Sequence, residues 1–527
     1  MQPSPETFPI VAGSKPLCRI ATDARPDEAT AHSARSLQRA LKAATGRTIP
    51  IAPAGGAAPG EGVILLGRPE RDGRVRALLR RSRLPLSRTG RIAKLDATTN
   101  GDQGYAIRFV RDGGRDWAVL AGNTDRGTFY AAGELADRVY RRARGAFGVD
   151  RRNELAAPAF RYRSLAGTLG GPDFIAPGQL EMSFGLSGGR IDVQAFVDWV
   201  AAYKVNHLSV WMFDLMFGLS YPSARYPRAV NPYHANVRHE FFAELLDRAR
   251  QSHIDVWLFV DFPDNWLGVL KAYPQFAAEG FEASPPHRAG PAWWRRFHRG
   301  LPGPEVLDLR RHSAVCASRP AVMRFWRGFW AELLGRYPAV AGIGGQFGEH
   351  PDCRCHCRRC EGRYYQQQWE YFRAMVEVAE KVRPGLHYWL YYADGAREIV
   401  RHRGELPNLT YIHWGEPRIR PPAGRAQGTR VDWYLSHGWD HTDYEPPLRR
   451  HILRSSRLGL AGIQKRMARY HECDRVYFAL SEFTWHPRMR WDEFARRYVL
   501  RTRRAAAAAE AQAYADDLRR RAPAVRV

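Results

Sequence analysis

Apolar and polar positions alternate in two different rhythms along the chain. From Phe160 onward, short apolar runs are interleaved with longer amphipathic stretches, the signature of strands and helices that build a parallel sheet. The runs are Tyr162 to Gly167, His207 to Phe213, Asp255 to Asp261, Ala339 to Phe347, Leu386 to Tyr392, Leu409 to His413, Val431 to Ser436 and Val476 to Ser481. Helical patterns fill Asp192 to Tyr203, Glu240 to Ser252, Pro320 to Arg336 and Tyr364 to Val382. Eight strands alternating with helices predict an α/β fold, a (β/α)8 TIM barrel over residues 159–490. The last three units are less regular, and Arg418 to Arg430 reads as loop.

Residues 1–158 predict a small α/β domain in front of the barrel. Leu17-Cys-Arg-Ile-Ala-Thr and Val63-Ile-Leu-Leu-Gly read as strands, Asp27 to Thr45 as a helix stopped by Gly46, and the runs either side of Asp112-Gly-Gly as a hairpin. Gly122-Asn-Thr-Asp-Arg-Gly127-Thr-Phe-Tyr130 opens a helix, and its glycine spacing matches neither nucleotide-binding motif. From Trp491 a helix is expected to run on into Ala505 to Ala509, with a frayed basic end from Leu518, so that residues 491–527 form a helical extension and tail.

A chain of 527 residues exceeds one ordinary core, in keeping with this division. The net charge of +26 rests almost wholly on arginine, with seven lysines among 80 basic residues, and these are scattered without a nucleic-acid-binding module, so no nucleic-acid partner is expected. No apolar run reaches the roughly 18 residues of a membrane span. Met1 to Pro16 lacks the pattern of a secretory signal, so a cytoplasmic protein is expected unless a leader has been removed. A homo-oligomer is compatible with the sequence, which is silent on assembly.

Chemistry gathers where the apolar runs end. The glycine-loosened Tyr337-Pro-Ala-Val-Ala-Gly-Ile-Gly-Gly-Gln-Phe-Gly-Glu349-His350 implies close approach of a backbone or ligand, and it delivers a carboxylate at the carboxyl end of a strand, where such barrels work. The other runs deliver Trp211 and Asp214, Asp261 and Asp264, Tyr391, Tyr392 and Asp394, Trp414 and Glu416, Trp439, and Glu482 with Trp485. Aromatic faces stack on sugar rings while carboxylates and imidazoles bond hydroxyls. Glycosidic cleavage needs one carboxylic acid to protonate the leaving oxygen and a second carboxylate as base or nucleophile. Glu349 is therefore the candidate acid, Glu416, Asp394 and Glu482 the candidate partners, and Trp211, Asp214, Asp261, Asp264, His350, Tyr391, Tyr392, Trp414, Trp439 and Trp485 the candidate sugar-binding set. This chemistry takes a carbohydrate substrate and no catalytic cofactor. A barrel that binds carbohydrate without cleaving it is the competing reading.

Cys353, Cys355, Cys357 and Cys360 fall within eight residues. Four thiolates suit a structural zinc ion, but two-knuckle sites have a longer separation. A disulfide-stapled loop, or a reduced loop partnered by Cys316, remains equally open.

Asn123 to Glu134, Pro158-Ala-Phe-Arg161-Tyr-Arg163 and Trp199-Val-Ala-Ala-Tyr203-Lys204-Val-Asn206 carry a resemblance to a known group. The chain resembles glycoside hydrolases of the α-glucuronidase (family 67) and β-N-acetylhexosaminidase (family 20) type, which place a small α/β domain before a catalytic (β/α)8 barrel. The resemblance implies a general acid at Glu349 and a second carboxylate at Glu416 or Asp394. Gly348 stands where hexosaminidases carry an aspartate beside the acid, which argues against their substrate-assisted mechanism. A uronic acid substrate would call for an arginine or Lys204 in the pocket.

Overall fold

The computed structural model describes residues 7–23, 25–143, 145–167, 192–211, 215, 218–232, 234–263, 266–279, 314–347, 354–392, 398, 401–402, 405–406, 409–414, 432–437, 445–466, 474–505 and 507–522. The first nine strands are β1 (Thr7–Ala12), β2 (Lys15–Pro16), β3 (Cys18–Ala21), β4 (Gly62–Gly67), β5 (Tyr105–Asp112), β6 (Arg115–Gly122), β7 (Tyr140–Ala143), β8 (Ala146–Asp150) and β9 (Glu154–Ala156). They form an antiparallel sheet in the order β2-β1-β8-β7 and a mixed sheet in the order β3-β4-β6-β5-β9. Helices α1 (Glu28–Thr45) and α3 (Asp125–Asp137) cover one face of the mixed sheet, and α2 (Gly73–Arg81) covers the other. Ile64 and Leu66 of β4 accordingly pack with Leu37 and Leu135, whereas Val63 and Leu65 pack with Val75 and Leu78. A strand covered on both faces must be apolar throughout, as Val63-Ile-Leu-Leu is. The glycines that open α3 serve packing: Thr124 caps the helix by accepting from the Gly127 N–H, and a Cβ on Gly127 would run into the Gly104 carbonyl.

The next eight strands are β10 (Tyr162–Gly167), β11 (His207–Val210), β12 (Asp255–Asp261), β13 (Gly342–Phe347), β14 (His387–Tyr392), β15 (Leu409–Trp414), β16 (Asp432–His437) and β17 (Gly462–Arg466). Each pairs in parallel with the next, and β17 pairs in parallel with β10, Tyr162 lying opposite Gly462, so the ring closes. Described helices around it are α4 (Val193–Ala202), α5 (Phe241–Gln251), α6 (Pro320–Arg336), α7 (Tyr364–Val382), α8 (Glu445–Arg457) and α9 (Asp474–Trp485). Outward side chains such as Leu208, Val210, Leu258 and Ile343 pack beneath Phe242, Phe329 and Phe372 of the helices.

Inside the ring, Tyr162, Trp257, Phe259, Trp389 and Tyr391 form a separate buried cluster. Gly342 and Gly344 make room for it, since a Cβ on either would lie 2.8 Å from the Trp257 indole or 2.6 Å from that of Trp389. The close approach foreseen for this glycine-rich strand is made, at these two positions, by the backbone carbonyls of His387 and Trp389 together with the two indole rings.

The eighth strand corrects the sequence reading. Val476 to Ser481 is not a strand but lies within α9, and Gly462–Arg466 takes its place. Every residue of α9 from Val476 to Trp485 is buried, so its apolar run lacks the one-sided pattern of a surface helix. The true strand shows one outward aliphatic residue, Ile463, while its inward Gln464 bonds the Ser164 hydroxyl.

The chain end is also corrected. α10 (Trp491–Arg503) does not run into the alanines; it stops at Arg504, whose φ is 50°, and the chain resumes as α11 (Ala508–Arg521). α11 packs on α10 through Tyr514, against Phe494 and Tyr498, and buries Leu518 completely. Residues 518–521 are thus an anchored last turn rather than a frayed end.

Candidate functional site

The interior cluster rises toward the carboxyl ends of the strands. His207 meets Trp257 edge-on at 4.4 Å between ring centroids, and His387 stacks on Trp257 at 5.6 Å. Above them Phe259 packs against Trp389 at 5.1 Å and against Trp211 at 4.6 Å, nearly parallel to the latter. Burial, with His387 adding to it, pushes the His207 imidazole down to about 3, so it stays neutral at neutral pH; its Nδ1 lies 2.6 Å from the Ser164 hydroxyl. These two histidines went unnoticed in the sequence because they begin strands rather than end them.

At the rim, several expected residues fall where strand ends were foreseen. Trp211 directly follows β11, half-buried, with Phe259 on one ring face. Tyr391 lies buried in β14 and meets Phe259 at 6.3 Å. Asp261, Tyr392 and Trp414 are the last residues of β12, β14 and β15. Register brings these ends level: Asp261 pairs with Gln346, Phe347 with Tyr392, and Tyr392 with His413. In the sequence, Glu349, Asp394 and Glu416 each come two positions after the last residue of β13, β14 and β15. Glu349, His350, Asp394, Glu416, Asp214, Asp264 and Trp439 themselves lie outside the described residues.

Glu482 and Trp485 do not join the rim. Both sit on α9, at the junction of the ring with the amino-terminal sheets. The Trp485 ring packs against Tyr105 at 5.2 Å and Tyr130 at 5.3 Å, so it is core and not a sugar platform. The Glu482 carboxylate accepts from Lys204 at 3.0 Å and from Arg497 at 2.9 Å. Lys204 also donates to Glu134 at 2.6 Å, which commits it to this junction rather than to a substrate carboxylate. Burial works against the charges on Glu134 and Glu482, yet Lys204 and Arg497 outweigh it and hold both carboxyls below their usual value. Burial likewise opposes the Lys204 charge, and Glu134 and Glu482 override it and raise the ammonium. Fully buried Arg163 completes the joint, donating to Gln103, to the Tyr130 hydroxyl and to the Lys204 carbonyl, each at 2.8 Å.

The cysteine loop gathers a more distant member. Cys355, Cys357 and Cys360, in front of α7, face Cys316, in front of α6, and all four sulfurs lie within 4.8 Å of one another. Cys353 lies outside the described residues. Cys316, 39 positions before Cys355, is the residue the sequence allowed as a partner of the loop.

Comparison with known proteins finds likeness of fold. No protein-family model matches the sequence, and no curated protein matches it. Among solved structures, the exo-β-N-acetylglucosaminidase of Vibrio harveyi, a family 20 glycoside hydrolase solved with N-acetylglucosamine, superposes with a TM-score of 0.59 at 13% identity, covering 97% of this chain and 76% of that one. The N-acetyl-β-hexosaminidase of Streptomyces plicatus gives a TM-score of 0.57 at 14% identity, covering 96% and 93%. A family 138 enzyme targeting pectin rhamnogalacturonan II gives 0.54 at 13%, covering 90% and 65%. The chain thus has a fold shared with family 20 glycoside hydrolases. No described helix is long and apolar enough to cross a membrane.

Proposed function

We propose that this chain is a glycoside hydrolase cleaving an O-glycosidic bond at the carboxyl end of its strand ring, on a complete (β/α)8 barrel with residues 1–158 as an accessory domain. The observation that carries the reading is the level register of β13, β14 and β15, with Glu349, Asp394 and Glu416 each two positions beyond a strand end. Glu349 acts as general acid, and Glu416 or Asp394 as base or nucleophile. Trp211, stacked on Phe259 beside the end of β11, is the candidate aromatic contact for the sugar. An amino sugar is favoured as substrate by the Vibrio harveyi neighbour, solved with N-acetylglucosamine. A uronic acid would need an arginine for its carboxylate, because Lys204 is committed to Glu134 and Glu482.

A panel of aryl N-acetylhexosaminides, hexosides and glucuronides tests the proposal. Turnover of an aryl N-acetylhexosaminide that falls at least about 100-fold in Glu349→Gln is expected. Saturable sugar binding without turnover by the native chain would overturn it in favour of a binding protein.

A further inference from the structure

Four sulfur atoms from two separate segments converge outside the ring. Cys316 Sγ lies 3.8 Å from the sulfurs of both Cys357 and Cys360, and no pair among the four, Cys355 included, exceeds 4.8 Å. A disulfide requires about 2.05 Å. Four thiolates around zinc at about 2.3 Å stand roughly 3.8 Å apart, the edge of a tetrahedron. We propose that Cys316, Cys355, Cys357 and Cys360 hold one structural zinc ion, a ligand set that takes Cys316 from a distant segment in place of Cys353.

The surroundings suit metal-bound thiolates. The Glu279 backbone N–H donates to Cys355 Sγ at 3.3 Å, and Gln367 Nε2 donates to Cys360 Sγ at 3.4 Å while also bonding Ser318 at 2.7 Å. Such donors orient metal ligands and spread their charge. Four thiolates with one divalent ion carry a net charge of −2, and Arg319, Arg354, Arg358, Arg359 and Arg363 flank the ligands in sequence. Cys316, Cys355 and Cys360 are buried, which keeps the ion from solvent. With all four positions taken by sulfur, none is left for a reacting water, so the ion's role is structural. It staples the segment between β13 and α7 to the segment that leads into α6. The former begins in sequence with Gly348-Glu349, so the staple lies a few residues beyond the candidate acid.

Metal analysis of the full chain, purified without chelator, is expected to give about one zinc per molecule. Cobalt exchange should produce the absorption of tetrahedral cobalt with thiolate charge transfer. An organomercurial titration should release the zinc as four thiols react. Cys316→Ser should lose the ion and Cys353→Ser should keep it. Where Cys316→Ser precipitates, the cobalt spectrum and thiol count of the unaltered chain carry the test alone. A native chain that takes up no zinc or cobalt, holds iron instead, shows a disulfide among these four, or loses its metal on Cys353→Ser would overturn the proposal.

Discussion

The Lys204 ammonium lies 3.0 Å from the Glu482 carboxylate, joining two residues 278 positions apart at the junction of the ring with the amino-terminal sheets. Both side chains are almost wholly buried, at 3% and 2% exposure, and Glu134 and Arg497 complete the group. Removing the single lysine leaves two buried carboxylates short of a partner. Lys204→Met is therefore expected to destabilise the chain by about 3–5 kcal/mol, read as a lower denaturation midpoint in urea.

Acid should loosen the same group. Glu134 and Glu482 have folded values below the unfolded one, so their stabilisation is complete above the ordinary carboxylate value of about 4.3 and is lost as pH falls below it. Lys204 is raised, so its share is complete below about 10.4 and lost only in strong alkali. The melting temperature is expected to stay level near neutrality and drop below about pH 4.3. A Glu134→Gln, Glu482→Gln double variant should show a lower plateau and a shallower acid drop in scanning calorimetry.

Gly344 allows no side chain. A methyl group there would meet the Trp389 ring at 2.6 Å and lie still closer to its carbonyl. Gly344→Ala should cost about 1–3 kcal/mol, and Gly335→Ala, where a methyl group meets open space, is the control. Urea denaturation of the two variants compares them directly.

Trp211 and Trp485 should separate function from stability. Trp485→Ala removes a ring buried between Tyr105 and Tyr130, and a loss of about 3–5 kcal/mol is expected. Trp211→Ala removes a half-buried ring at the rim, so sugar affinity should fall by about tenfold or more with a smaller change in melting temperature. Isothermal titration with sugar and thermal melts check both.

Much of the ring was legible because its early strands carry outward aliphatic rows. The helices Pro320–Arg336 and Tyr364–Val382 match their sequence boundaries residue for residue. The eighth unit was not legible, because β17 shows one aliphatic residue to the helices while α9 is buried all round. That same displacement carries Glu482 and Trp485 onto α9 and away from the rim. At the site, the apolar runs marked where β13, β14 and β15 end, but not the commitment of Lys204, whose partners Glu134 and Glu482 lie 70 and 278 positions away. Cys316 joined the cysteine group across a gap no local motif spans.

The three stretches that carry the family resemblance, around Tyr130, Arg163 and Lys204, meet at one place: Arg163 donates to the Tyr130 hydroxyl and the Lys204 carbonyl. A shortened gene starting at residue 159 would unveil a desolvated guanidinium and ammonium along with the naked Trp485 surface. The front portion and the ring thus share one buried set of polar partners, so grafting either onto another scaffold requires carrying over the interlocking side chains of both.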